Sequence, residues 1–240
     1  MFTDRTDAGE QLAESLADRG VDPDIVLTVP RGGLPVGRAV ADRLDAPLDV
    51  VVASKMGAPD NEELALGAVA EDGSVWRNDD LIAELDADDY LDEVRERERK
   101  VAEEKAATYR EGGFPDVTGE RVLVVDDGVA TGATMRACLQ RVRDDDPEYL
   151  LAGVPVGPAD TLDALLDIAD DVASVETPPA FRAVGAYYEE FPQVTDEEAQ
   201  TYLDGDDAEG DGSGGEGDEE SGAGDGENER SDDEAATDSE

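Results

Sequence analysis

The sequence contains no histidine and a single cysteine, Cys138. Without imidazole there is no His general base, no Ser-His-Asp or Cys-His nucleophile system and no His-ligated zinc. One thiol makes neither an internal disulfide nor a thiolate metal cluster. Aromatic residues form only 5% of the chain, and lysine is scarce. No apolar run approaches the roughly 20 residues of a membrane helix, and the N-terminal MFTDRTDAGE has no basic stretch leading into an apolar core. A soluble, cytoplasmic protein without a membrane partner is expected.

Positive charge is the other shortage. Nineteen Lys and Arg face 64 Asp and Glu, a formal net charge of −45. A field of that size repels phosphate backbones, so nucleic acid is not expected as a partner. The segment from Asp204 to Glu240 carries 17 of the acids and one Arg, which leaves −29 upstream of it. Acid spread along the whole chain, with few lysines, suits a halophilic protein of a saturated-salt cytoplasm, where screening shortens the reach of self-repulsion. Residues 204–240 have almost no apolar side chain to bury and are expected to form a disordered acidic tail. The 39% apolar content is enough for one sizeable core in residues 1–203.

Within that domain, short apolar runs alternate with amphipathic stretches. IVLTV (Ile25 to Val29), LDVVVA (Leu48 to Ala53), RVLVVD (Arg121 to Asp126), YLLAGVPV (Tyr149 to Val156) and VASVE (Val172 to Glu176) are continuous enough for strands buried on both faces. Helical spacing covers Ala8 to Arg19, Leu34 to Leu44, Met135 to Val142 and Thr161 to Ile168. The pattern predicts an α/β fold, a central mostly parallel sheet flanked by helices. A long charged helix is expected over Asp88 to Tyr109, and a projecting β-hairpin around Asp72-Gly73 in GAVAEDGSVW.

Ligands of such sheets bind beyond the carboxyl ends of the strands. There VLVV runs into Asp126-Asp127, then GVATGAT, then a helix. Gly128 and Gly132 permit tight backbone, Thr131 and Thr134 offer hydroxyls, and helix-start amides can surround a phosphate. The loop has no lysine, so amides and the helix dipole must carry the anion. Two carboxylates beside a phosphate cradle make sense if they reach paired hydroxyls or a divalent cation on the same ligand. After IVLTV, the loop Pro30-Arg31-Gly32-Gly33 opens onto a helix in a second anion-binding layout, with Arg31 suited to phosphate oxygens.

VLVVDDGVATGAT resembles the signature of type I phosphoribosyltransferases. The likeness implies that fold, with a β-hairpin flexible loop and a small C-terminal hood. It also implies transfer of a 5-phosphoribosyl group from phosphoribosyl pyrophosphate to a nitrogen nucleophile, with Mg²⁺ as cofactor and a homodimer as the assembly. By the same resemblance Asp126 and Asp127 hold the ribose hydroxyls and, partly through water, the metal. Gly128, Ala130, Thr131, Gly132 and Thr134 hold the 5-phosphate, and Arg31, Gly32 and Gly33 form the pyrophosphate loop. Lys55, in SKMGAPDNEELALGAVAEDG, lies near the pyrophosphate, which makes Arg31, Lys55, Asp126 and Asp127 the expected catalytic set. Phe181, Tyr187, Tyr188 and Phe191 belong to the hood, where they either stack on an acceptor ring or anchor the C-terminal segment. A non-catalytic regulator that senses phosphoribosyl pyrophosphate or a nucleotide is the alternative.

Overall fold

The structure, a computed structural model, describes residues 1–59, 61–110 and 112–205; the expected tail lies outside the described residues from 206 on. The chain begins α1 (Arg5–Asp18), β1 (Ile25–Thr28), α2 (Gly33–Leu44) and β2 (Leu48–Val50), then β3 (Ala53–Ala58), β4 (Asn61–Ala70) and β5 (Val75–Arg77). It continues with α3 (Asp79–Leu85), α4 (Asp88–Tyr109), β6 (Arg121–Val125), α5 (Ala133–Arg143), β7 (Tyr149–Val156), α6 (Ala159–Leu165) and β8 (Asp171–Glu176). A 3-10 turn at Val184–Tyr187 and α7 (Asp196–Asp204) complete it.

The apolar runs pair as a five-stranded parallel sheet in the order β2-β1-β6-β7-β8. Side chains alternate across it, as the strand period of two requires. On β6, Val122 and Val124 join the core under α5, with Leu139 and Val142. Leu123 and Val125 face the opposite side, with Leu12, Leu16, Val36 and Val40 of α1 and α2. The order reverses between β1 and β6, since the chain moves to β2 on one side and to β7 and β8 on the other. That switch point is where an open α/β sheet presents its ligand crevice.

The hairpin region differs from expectation. The run LDVVVA divides into β2 and the start of β3, and β3, β4 and β5 form a three-stranded antiparallel sheet. The Asp72-Gly73 turn does link two strands, but it does not project. Arg141 pairs with Asp72 at 3.3 Å, and Ser74 Oγ donates to Asp144 at 3.1 Å. Ala65, Ala68 and Ala70 are buried in the main core, which leaves too little free surface for a projecting arm. The other face has a core of its own, built from Met56, Leu66, Val69, Ile82, Leu91 and Val94, under α3 and α4.

Candidate active site

β1 and β6 end side by side, so the two loops that follow them share one crevice. A cleft of about 590 Å³ opens there, with Pro30, Arg31 and Gly32 on one wall, Asp126 and Asp127 at its centre, and Ser54 and Lys55 from β3 opposite. A smaller cavity of about 190 Å³ shares Asp126, Thr134 and Val184 with it and is lined by the backbone from Gly128 to Met135. Arg31, Lys55, Asp126, Asp127 and the whole GVATGAT loop are thus brought together. Gly33 opens α2 beneath them, where an added Cβ would lie 2.7 Å from Thr28 Oγ1 and 3.1 Å from Asp126 Oδ1.

The GVATGAT loop is held open by local geometry. Gly132 caps α5 at φ +75, a left-handed conformation that suits glycine, and no side chain caps the helix. The first amides of α5 are therefore available to an anion. Behind the loop, Val129 N–H donates to Val156 at 3.0 Å and Thr161 Oγ1 donates to the Ala130 carbonyl at 2.8 Å. β7 and α6 are the frame on which the cradle rests.

The acid pair is half-buried, and the two carboxyls lie close together. Burial pushes the carboxyl of Asp126 well above the usual carboxylate range, and the neighbouring Asp127 pushes the same way. Asp127 is also raised by burial, against the Arg5 guanidinium, whose Nε sits 2.8 Å from Asp127 Oδ2. Asp127 N–H donates to Asp126 Oδ1 at 2.8 Å, which orients one carboxylate from the backbone of the other. Gly32 packs against this pair so closely that a Cβ there would stand 2.4 Å from Asp127 Oδ2.

Two cations of the cleft were not singled out in the sequence. Arg5, in the first turn of α1, pairs with Asp127, donates to the Pro192 carbonyl at 2.6 Å and lies over the Phe191 ring at 3.6 Å. Lys105, on α4, donates to the Pro30 carbonyl at 2.6 Å, and burial lowers the pKa of its ammonium while Asp126 opposes that. A signal existed for both. Arg5 shares a helix stripe with Ala8, Gly9 and Leu12, and Lys105 shares one with Ala102, Ala106 and Tyr109. A base inside an apolar stripe is an exception that asks for a buried partner.

The hood aromatics divide. Phe181 and Tyr187 stack on each other with centroids 5.5 Å apart, and neither lines the two cavities. Tyr188 is buried between Phe2 and Phe191, and its hydroxyl donates to the Asp127 carbonyl at 2.5 Å, so it braces the acid loop from behind. The segment reaches the cleft instead through Val184, Phe191, Gln193 and Val194. Phe191 has Arg5 on its ring and Tyr188 beside it.

A family model described as "Phosphoribosyl transferase domain" matches residues 3–189. A curated protein of Mycobacterium tuberculosis, named "Putative phosphoribosyl transferase Rv0571c", is 41% identical over 208 residues. The match covers 85% of this chain and 46% of that protein, so the chain spans about half the length of the curated relatives it matches. Among solved structures, the TT1426 protein of Thermus thermophilus is 41% identical, with a TM-score of 0.72, over 85% of this chain and 97% of that one.

Proposed function

The chain belongs to the phosphoribosyl transferase family, and from that premise we propose that it transfers a 5-phosphoribosyl group from phosphoribosyl pyrophosphate to a nitrogen of a small acceptor, releasing pyrophosphate. The observation that carries this reading is a local inversion of charge. In a protein of net charge −45, the central cleft is lined by four bases, Arg5, Arg31, Lys55 and Lys105, against two acids. Such a cleft fits a polyanion, and the adjoining amide-lined cavity fits its second phosphate.

In this reading the 5-phosphate occupies the loop from Gly128 to Thr134, and the ribose hydroxyls meet Asp126 and Asp127. Arg31 and Lys55 attend the pyrophosphate, with Gly32 and Gly33 letting the backbone come close. The acceptor lone pair forms the new bond to C1 as the C1–O bond breaks, and its electrons leave with pyrophosphate. Positive charge builds on the ribose ring, where two carboxylates of negative potential favour it. A carboxylate of raised pKa beside that centre can take the acceptor proton. No covalent nucleophile is required, in keeping with a chain that has no histidine.

Mg²⁺ fits the donor set only as a ligand-borne ion. Among the described residues no group of three or more acids or thiols could hold a metal. One Asp127 oxygen is engaged by Arg5 and one Asp126 oxygen by a backbone amide. Asp126 and Asp127 would then supply one or two oxygens, directly or through water, and phosphates the others, an arrangement Mg²⁺ favours. When bound, it neutralises charge on the leaving group.

In this reading the acceptor enters beside Val184, Phe191, Gln193 and Val194, which also line the cleft. A screen of nitrogen acceptors by pyrophosphate release, with Mg²⁺ in molar KCl, tests the reading. Saturable binding of phosphoribosyl pyrophosphate without release from any acceptor would favour the sensing alternative instead.

A further inference from the structure

Lysine occurs three times in the chain, and one of the three stands on the buried face of α4 among Ala102, Ala106 and Tyr109. From that face Lys105 lines the main cleft together with Arg31, Lys55 and Asp126. Its Nζ donates to the Pro30 carbonyl at 2.6 Å, which uses one of three N–H donors. Arg5 has a carboxylate partner in Asp127 and Arg31 has one in Asp196 at 3.3 Å, whereas Lys105 has no ion-pair partner among the described residues.

A half-buried ammonium without an ion-pair partner is costly to hold. Met or Leu would pack on the same helix face without that cost. The cost is offset when an anion enters the cleft beside Pro30 and Arg31, where Coulomb attraction is little screened. α4 also ties down the strand that carries Lys55, since Ser54 Oγ donates to Glu98 at 2.7 Å. One helix therefore reaches both the loop after β1 and the strand of Lys55.

Building on the phosphoribosyl reading above, we propose that Lys105 is a pyrophosphate-binding residue, contacting the leaving group through its remaining N–H donors while its bond to Pro30 fixes the Arg31 loop. The residue lies outside the pyrophosphate loop, the hairpin and the acid loop, so it adds a fourth segment to the site.

Binding of two separate fragments, inorganic pyrophosphate and ribose 5-phosphate, tests this by calorimetry with Mg²⁺ in molar KCl, using the full chain. Lys105→Met keeps the length and apolar packing of the side chain, and a thermal melt checks its fold. Pyrophosphate affinity is expected to fall at least tenfold in Lys105→Met and to recover in part in Lys105→Arg, while ribose 5-phosphate affinity changes less than threefold. Unchanged pyrophosphate affinity in Lys105→Met, or equal loss of both fragments, would overturn the assignment while leaving the phosphoribosyl reading in place. A wild-type protein that binds neither fragment would overturn both.

Discussion

At Gly32 the backbone passes so near Asp127 that any side chain must displace the carboxylate or the loop. Gly32→Ala is therefore expected to lower the rate of pyrophosphate release by about 100-fold, the cost of roughly 1 Å of misplacement at a reacting centre. Wild-type kinetics in a folded Gly32→Ala protein would show that the contact does not position Asp127. The two acids should respond differently to amidation. Burial and the neighbouring Asp127 both oppose charge on Asp126, so Asp126→Asn is expected to leave stability unchanged or raised while turnover falls. Asp127→Asn strands the buried Arg5 guanidinium and is expected to cost about 3 kcal/mol, read as a lower denaturant midpoint in urea. The reverse order of stabilities would contradict the Arg5 assignment. At this scale the acid pair, the TGAT loop and Arg31 were legible because each sits in a contiguous motif. Arg5 was legible only as a base inside the apolar stripe of α1, since its bond to Asp127 spans 122 positions and nothing local names that partner.

Among the elements, the parallel strands, α2 and the hairpin arms on either side of Asp72-Gly73 were readable from apolar runs, helical spacing and the turn, whereas β3 and the first half of β4 were not. Their sequences, ASKMGA and NEELALGAVA, are rich in Ala, Gly and Glu, which carry little strand preference. Pairing and burial against α4 and α5 make them strands. Helix α7 had a legible start, because Thr195 and Glu198 form a capping box, but the acids around it blended into the acidic composition. The separate core under α3 and α4 implies that the Lys55 strand is held by its own packing. Met56→Ala is expected to destabilise that unit by about 2–5 kcal/mol, with amide exchange over residues 53–77 accelerating more than in β6 and β7. Uniform acceleration across both sheets would mean that the unit is not separately cooperative.

For the molecule as a whole, charge decides both stability and ligand choice. Asp170 joins β7, α5 and the approach to β8, since it accepts from Leu150 N–H at 2.8 Å and from Arg143 at 2.9 Å. Burial alone would raise its carboxyl, but these two donors outweigh it and hold the pKa below the usual carboxylate value. A depressed folded-state pKa means that the contribution is complete above the unfolded value of about 4 and is lost as pH falls through the folded one. The stability gap between wild type and Asp170→Asn should thus be greatest at neutral pH and close on acidification. A gap independent of pH would remove Asp170 from this role. The same molecule, strongly acidic in sum, gathers four bases around its cleft, and that contrast is the core of the functional account. The measurement that bears on it most directly is pyrophosphate release from phosphoribosyl pyrophosphate, with Mg²⁺ in molar KCl and a broad panel of nitrogen acceptors. The account predicts acceptor-dependent release that Asp126→Asn abolishes; absence of release with every acceptor, from folded protein, would contradict it.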